Sequence, residues 1–433
     1  MPLESAFPIH SFAAWAVTQA GTAAADLSTR LGGQTAAVVD PDLALGWFAG
    51  SFTPQGWELP PPWDSLAGDY PCADGWIRLH TNAPHHRQAA LAALGLPVDP
   101  VPDRGTVAAA VAGWAGEALE RAVLSAGGCA ARMRSVQEWS QHPAGAAVAQ
   151  EPLISWTGLG SAPRRVPQSP PERPLAGVRV LDLTRIIAGP VATRFLAALG
   201  ADVLRIDPPG WSEPAAEAEL TPGKRCAKLD LRSAAGARRI RELLAGADLL
   251  VSGYRPGALA GLGLGSSHLQ QISPGLVEVS LSAYGWSGPW AQRRGFDSLV
   301  QMSTGIACAG MEYFGADVPR PLPVQALDHA TGYLTAAAAL QAWRQRLDGT
   351  VVSARLSLAR TAAQLQGTAG GRTPPWAPAE PLEQVPEQTF WGPGLRLAPP
   401  VRFEGTGPQP HLHWDVPAGP LGSAAPRWEA GRL

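Results

Sequence analysis

Residues 174–207 read PLAGVRVLDLTRIIAGPVATRFLAALGADVLRID. Val178 to Leu183 is a run of β-branched residues and leucine, Pro190 to Leu199 has helical spacing with Gly200 at its end, and Val203 to Ile206 is a second apolar run. Strand, helix and strand in one stretch make a βαβ unit. The theme continues outward: an Arg-rich amphipathic stretch from Ala234 to Leu244, a run from Asp248 to Ser252, another from Leu276 to Leu281, and an alanine-rich helix from about Thr331 to Arg346. Strands alternating with helices predict an α/β fold with a doubly wound, Rossmann-like parallel sheet and right-handed crossovers, whose ligands bind beyond the carboxyl ends of the strands.

The 48 glycines and 43 prolines cluster at two joints, Gly158 to Pro174 and Gly370 to Pro386, neither of which can hold a helix through its interior. The expected division is a small α+β domain over 1–157, a linker over 158–174, a catalytic half over 175–369, a second linker over 370–397 and a tail over 398–433. Within 1–157, Ala13 to Leu31, Gln88 to Leu94 and Val107 to Ser125 read as helices. Gly75 to Leu79 reads as a strand after the turn Ala73-Asp74-Gly75.

Composition removes several classes of function. The 433 residues are 45% hydrophobic and 16% charged, with 34 Lys and Arg against 36 Asp and Glu, scattered rather than run together. Nucleic acid and anionic membrane surfaces are therefore not expected partners. No apolar stretch is long enough to span a bilayer and Met1 to Phe7 has no basic region before an apolar one, so a cytoplasmic location without export is expected. Cys72, Cys129, Cys226 and Cys308 lie far apart and are expected to be buried thiols rather than disulfides or zinc ligands. His85-His86 and His411-x-His413 have no partners at ligand spacing and read as exposed turns. Only two basic residues are lysines, Lys224 and Lys228, both in one short segment, which suggests a place for a compact ammonium.

After the first strand comes Thr184-Arg185-Ile186-Ile187-Ala188-Gly189-Pro190, not G-x-G-x-x-G, and no Walker loop, G-x-S-x-G elbow or H-E-x-x-H occurs. What does match is a succession of signatures in register. Pro174 to Thr184, Ala188-Gly-Pro190, Leu199 to Asp207, Gly223-Lys-Arg225, Tyr254-Arg-Pro-Gly257, Ser282-Ala-Tyr-Gly285 and Gly295-Phe-Asp297 resemble the class III coenzyme A transferases, the family of formyl-CoA transferase, CaiB and BaiF.

The resemblance implies a catalytic aspartate at the start of a helix after a short apolar segment. Pro323-Val-Gln-Ala-Leu-Asp328 before the alanine-rich helix makes that residue Asp328. Without the resemblance, Asp328 reads as an ordinary helix N-cap. A carboxylate there can attack an acyl-CoA thioester, so two easier steps replace one hard one. The implied reaction moves CoA between an acyl thioester and a carboxylic acid through an aspartyl-CoA intermediate, with the CoA thioester as substrate and no permanently bound cofactor or metal. Ile187, Ala188 and Gly189 resemble the turn that meets the thioester, Lys224 and Arg225 the partners of the CoA phosphates, Tyr254 the aromatic near adenine, and Arg294 a basic position near the nucleotide.

Departures from the pattern are specific. Gly253 stands where Asn is frequent and Gly261 where Arg is frequent, so phosphate contacts pass to another residue such as Arg255. Phe296 stands where the family's racemases carry His, which favours transfer over epimerisation. Segments resembling the family's small domain, including Cys72 to Leu79 and Glu138-Trp139, precede the catalytic half instead of following it. A homodimer is expected by resemblance. An isomerase, racemase or lyase of the same family and a non-catalytic CoA-binding paralogue stay open as alternatives. Trp211, Trp286, Trp290, Tyr313 and Phe314 are the aromatic candidates for an acyl pocket.

Overall fold

The computed structural model describes residues 3–166, 168–369 and 373–429. The elements that position the site are the helix α1 (Ile9–Arg30), strands β1 (Ser155–Ser161) and β2 (Arg179–Leu183), helix α2 (Ala188–Ala198), strands β3 (Asp202–Asp207), β4 (Lys224–Lys228), β5 (Leu249–Ser252) and β6 (Val277–Ser282), helix α3 (Ala326–Leu347) and strand β7 (Thr350–Ser357). The strands form one sheet in the order β4-β3-β2-β5-β6-β7-β1, parallel throughout except for β1, which runs antiparallel to β7. This is the expected doubly wound α/β arrangement. The chain leaves β2 in one direction toward β3 and β4 and later returns to its other side with β5, so the β2/β5 pair is the point where strand order reverses. A crevice opens beyond the carboxyl ends at such a point.

The central strands are buried on both faces, which is why they read as continuous apolar runs rather than as alternation. Helix α3 is buried almost all round, with Ala336 to Ala339 and Leu340 in the main core. Small side chains let α1 pack on one flank and α2 on another. It begins at Ala326, five residues before the expected Thr331, so Asp328 lies inside the first turn and Gln325 takes the N-cap position. The apolar surround gives no periodic stripe from which a start could be read. Helix α1 likewise starts earlier than Ala13, at Ile9, whose side chain is buried with Phe12. The expected single helix Val107 to Ser125 is two, Arg104–Ala112 and Gly116–Ser125. Asp103 caps the first, and Asp74 accepts a 2.7 Å bond from the Gly116 N–H at the start of the second.

Three antiparallel strands, Gly68–Cys72, Gly75–Leu79 and Ala130–Arg132, carry these helices around a separate core of Leu66, Tyr70, Ile77, Val111 and Leu119. The proline-rich stretches also carry strands. Thr373–Trp376 pairs with Leu3–Ser5, and Gln384–Thr389 and Gly392–Leu397 join Phe52–Pro54. Pro374, Pro375 and Pro386 fit there because these strands are sheet edges. Residues 167 and 370–372 of the expected linkers lie outside the described residues. The tail covers the β4 edge of the large sheet, with the Ala424 N–H on the Cys226 carbonyl at 2.9 Å. Among the described residues no helix is long and apolar enough to cross a membrane.

Candidate active site

A cavity of about 910 Å³ lies beyond the carboxyl ends of β2, β5 and β6, and Asp328 is in its wall. Three backbone approaches put the carboxyl group there. Gly332, one turn further along α3, has no Cβ; one would stand 2.6 Å from the Ala188 carbonyl oxygen and 2.8 Å from Val191 Cβ, so α2 and α3 meet only because this residue is glycine. Gly189 permits the turn before α2 to close on Thr184, whose side chain a Cβ would meet at 2.2 Å. Ile186 has φ of 60°, a left-handed backbone that a β-branched residue adopts only under constraint, and its N–H donates to Glu213 Oε1 at 2.7 Å. The result brings the backbone N–H of Ala188 near enough to the Asp328 carboxylate to favour its charged form.

The electrostatics of Asp328 are unusual for a surface-type residue. It is 7% exposed, and its own N–H donates at 2.9 Å to Oδ2 of Asp297, which is fully buried. Burial pushes the Asp297 carboxyl up to about 6, and the amide of Gln301 donates to its other oxygen. Burial and then the neighbouring Asp297 charge hold Asp328 well above the usual carboxylate range, against the opposing pull of the Ala188 N–H. The observed Asp328 is therefore not a helix cap; Asp297 serves that purpose from outside the helix.

Of the residues expected at the site, Ala188, Tyr254, Arg255, Arg294 and Asp328 line this cavity together. Ile187 and Gly189 do not line it but shape the turn that carries Ala188. Lys224 and Arg225 are elsewhere. The Lys224 ammonium is buried, 2.8 Å from the Pro190 carbonyl oxygen and 3.4 Å from Asp182 Oδ2, and burial lowers it to about 8. It braces the first turn of α2 together with Thr184 and Thr193, which also bond Asp182. Arg225 pairs with Asp202 at 2.8 Å and donates to the Arg427 carbonyl. Neither is free for a phosphate. A cationic residue in a short strand reads the same in sequence whether it braces a turn or faces a ligand; burial separates the two.

The cavity gathers cations that were not expected there. Arg185 donates to the Tyr254 hydroxyl at 3.0 Å and lies over the rings of Trp211 and Tyr254, at 4.9 and 5.1 Å. Arg293, His85 and His86 also line it, as does Phe296, whose ring stacks on His80 at 3.8 Å. Arg185 directly follows β2, a position that the carboxyl-end rule points to; His85 and His86 come from the helix Pro84–Ala93 and no local signal marks them. His86 is buried, unlike the exposed turn expected, because the first turn of that helix packs on Phe296 and His80. Cys129 and Cys226 are buried thiols raised to about 12, but Cys72 and Cys308 are partly exposed, contrary to expectation. Of the aromatic candidates only Trp211 lines the cavity. Among the described residues no cluster of His, Cys, Asp and Glu could hold a metal ion.

Fold and site together define a doubly wound α/β protein with a buried carboxylate in an arginine-lined cleft. Residues 175–389 match CoA-transferase family III, and this part of the chain belongs to that family. An acyl-CoA transferase of Gibberella moniliformis is 30% identical over 336 residues, 70% of this chain and 58% of that protein. The succinyl-CoA:glutarate CoA-transferase of Mus musculus is 34% identical over 207 residues, 44% and 45% of the two chains. The crystal structure of Rv3272 from M. tuberculosis aligns with 45% of this chain and 57% of its own at 32% identity, with a TM-score of 0.40. The chain spans 33% of one and 58% of another of the curated relatives it matches first.

Proposed function

We propose that the protein is a class III CoA transferase that moves CoA between an acyl-CoA thioester and a carboxylic acid, with Asp328 as the covalent carrier. The carrying observation is Asp328 itself, a desolvated carboxylate beside the Ala188 backbone, in the wall of a cavity lined by Arg185, Arg255, Arg293 and Arg294. Of these, Arg185, Arg255 and Arg294 have no carboxylate partner among the described residues, so the cavity holds positive charge that a polyanion would neutralise. Coenzyme A carries such charge on its phosphates.

In this reading the Asp328 carboxylate attacks the thioester carbonyl, the C–S bond breaks, and a mixed anhydride and CoA thiolate form. The thiolate attacks the aspartyl carbonyl, giving aspartyl-CoA and releasing the donor acid. The acceptor carboxylate then attacks aspartyl-CoA, and the thiolate it displaces attacks the new acyl carbonyl, which regenerates Asp328. The Ala188 N–H, held by Gly189 and the strained Ile186, supports negative charge developing beside Asp328. Tyr254, Trp211 and Arg185 offer flat surfaces at the cavity for the nucleotide, Arg255 and Arg294 serve the phosphates, and the homodimer expected by resemblance belongs to the same proposal.

Succinyl-CoA and glutarate, taken from the mouse relative's name, are the first pair to test. Incubation with succinyl-CoA should add the mass of CoA to a peptide containing Asp328, and glutarate should remove it with formation of glutaryl-CoA. Asp328→Ala should abolish both. Full transferase turnover by Asp328→Ala would falsify the mechanism.

A further inference from the structure

The residues that precede the family-matched region supply one side of the Asp328 cavity. His85, second residue of the helix Pro84–Ala93, is exposed and lines that cavity, while its neighbour His86 is buried against it with ring centroids 4.1 Å apart. Two guanidiniums from the catalytic half stand close enough to depress His85: after partial burial, the charges of Arg294 and then Arg185 oppose its protonation. Arg255 faces the same field, its own proton affinity lowered by burial and by Arg294. The helix opens on this side at Ala83, which carries no capping side chain. The acids that line the cavity, Asp230 and Asp328, leave these cations in excess.

We propose that His85 is a ligand-binding residue of this cavity and that, with Arg185 and Arg294, it holds an anionic group of the ligand, a phosphate or a carboxylate. The inference deepens the transferase reading and rests on it for the identity of the ligand. Its logic is separate, because bringing any anion between an imidazole and two guanidiniums reverses the field on the imidazole. The bound anion favours His85 protonation, so binding takes up a proton near neutral pH. The groups that face His85 are His86 on its own helix, Arg185 after β2 and Arg294 before Phe296; the arginines keep their charge in this range, while the raised carboxyl of Asp328 in the same cavity also responds to a bound anion, so the uptake that His85→Gln removes is the part that reports on this imidazole.

The test is calorimetry on the full chain, with coenzyme A, glutarate and inorganic pyrophosphate as probes, in two buffers of different ionisation enthalpy. At pH 6.5 the wild type should take up roughly half a proton with the probe that reaches His85, coenzyme A and pyrophosphate identifying a phosphate and glutarate a carboxylate. His85→Gln should lose the imidazole's share of the uptake and weaken that probe about tenfold, and His85→Lys should restore affinity without restoring that share. Affinity within twofold of wild type and unchanged uptake in His85→Gln for all three probes would overturn the proposal. That result with a normal CoA adduct on Asp328 leaves the transferase reading standing; His85-dependent pyrophosphate binding without any adduct does the reverse.

Discussion

A carboxylate that must attack a thioester works best where water does not stabilise it, and such a place weakens the fold that holds it. Asp328 and Asp297 have folded-state proton affinities above the ordinary carboxylate value, Asp297 at about 6. Groups raised in this way stabilise the folded state below their unfolded pKa near 4 and lose that contribution as pH rises through the folded value. Near neutral pH the pair is a liability to stability. Asp328→Asn should therefore abolish the CoA adduct while raising the melting temperature at pH 7 by roughly 2–4 °C, a gain that shrinks as the pH is lowered toward 4. Asp297→Asn separates charge from geometry: the side-chain oxygen still accepts from the Asp328 N–H, but the repulsion that raises Asp328 is gone. Because activity needs ionised Asp328, the acid limb of the kcat profile should move to lower pH by about one unit. An acid limb that stays in place would show that burial alone sets the nucleophile. At this scale Asp328 stood out in the sequence only through the family resemblance, since its local setting alone reads as a helix cap; its partner Asp297 stood in one of the matching motifs, but the bond between them spans 31 residues of chain and needs the fold.

At the scale of elements, the site is the contact between the first turns of α2 and α3. The alanine-rich composition of α3 was plain in the sequence, yet its start and its glycine carried no visible role, since the position of Gly332 against the Ala188 carbonyl depends on how two helices cross. Lys224 shows the converse: its rarity drew notice, and its compact ammonium does have a special place, under the Pro190 carbonyl rather than on a phosphate. Both observations predict that the α2–α3 contact is intolerant of volume. Gly332→Ala places a methyl within 2.6 Å of a backbone oxygen, so the helices must separate. The expected cost is about 1–3 kcal/mol in denaturant unfolding, as for overpacking elsewhere, although alanine has the higher helix propensity. Displacing Ala188 should also slow adduct formation more than it weakens CoA binding, because the moved N–H faces Asp328 and not the arginines. Unfolding equal to wild type would show that the two helices can yield without strain.

At the scale of the whole molecule, the α/β class and the strands β2, β3, β5 and β6 were legible because buried parallel strands leave local patterns, whereas β4 and β7 were not read from the sequence and β1 runs into the stretch read as a linker. The interleaving of residues 3–54 with 373–405 was not legible either, since antiparallel edge pairing between distant segments leaves no such pattern. The same holds for the join between the small sheet and the catalytic half, where an apolar cluster of Cys129, Ala131, Leu299 and Met302 is accompanied by buried charge. Glu120 accepts from Arg134 at 2.9 Å and from Arg293 at 2.8 Å, all three largely buried, and Arg293 also donates to the Ala130 carbonyl and lies 3.8 Å over Trp290. The two guanidiniums overcome burial and hold the Glu120 carboxyl down at about 2. A depressed carboxylate stabilises the fold above its unfolded pKa near 4.3, and the contribution is lost as pH falls toward 2. Arg293→Met keeps the apolar stem over Trp290 but leaves Glu120 with one cation in a dry site, so a loss of about 3 kcal/mol is expected at pH 7, narrowing as the pH drops below 4. Because Arg293 also lines the Asp328 cavity, the loosened join should appear at both places. Hydrogen exchange should quicken in Ala130–Arg132, and coenzyme A should bind more weakly. Faster exchange in the strand with unchanged CoA affinity would mean that the small sheet can loosen without disturbing the wall it contributes, and that the two halves of the chain are coupled by stability alone.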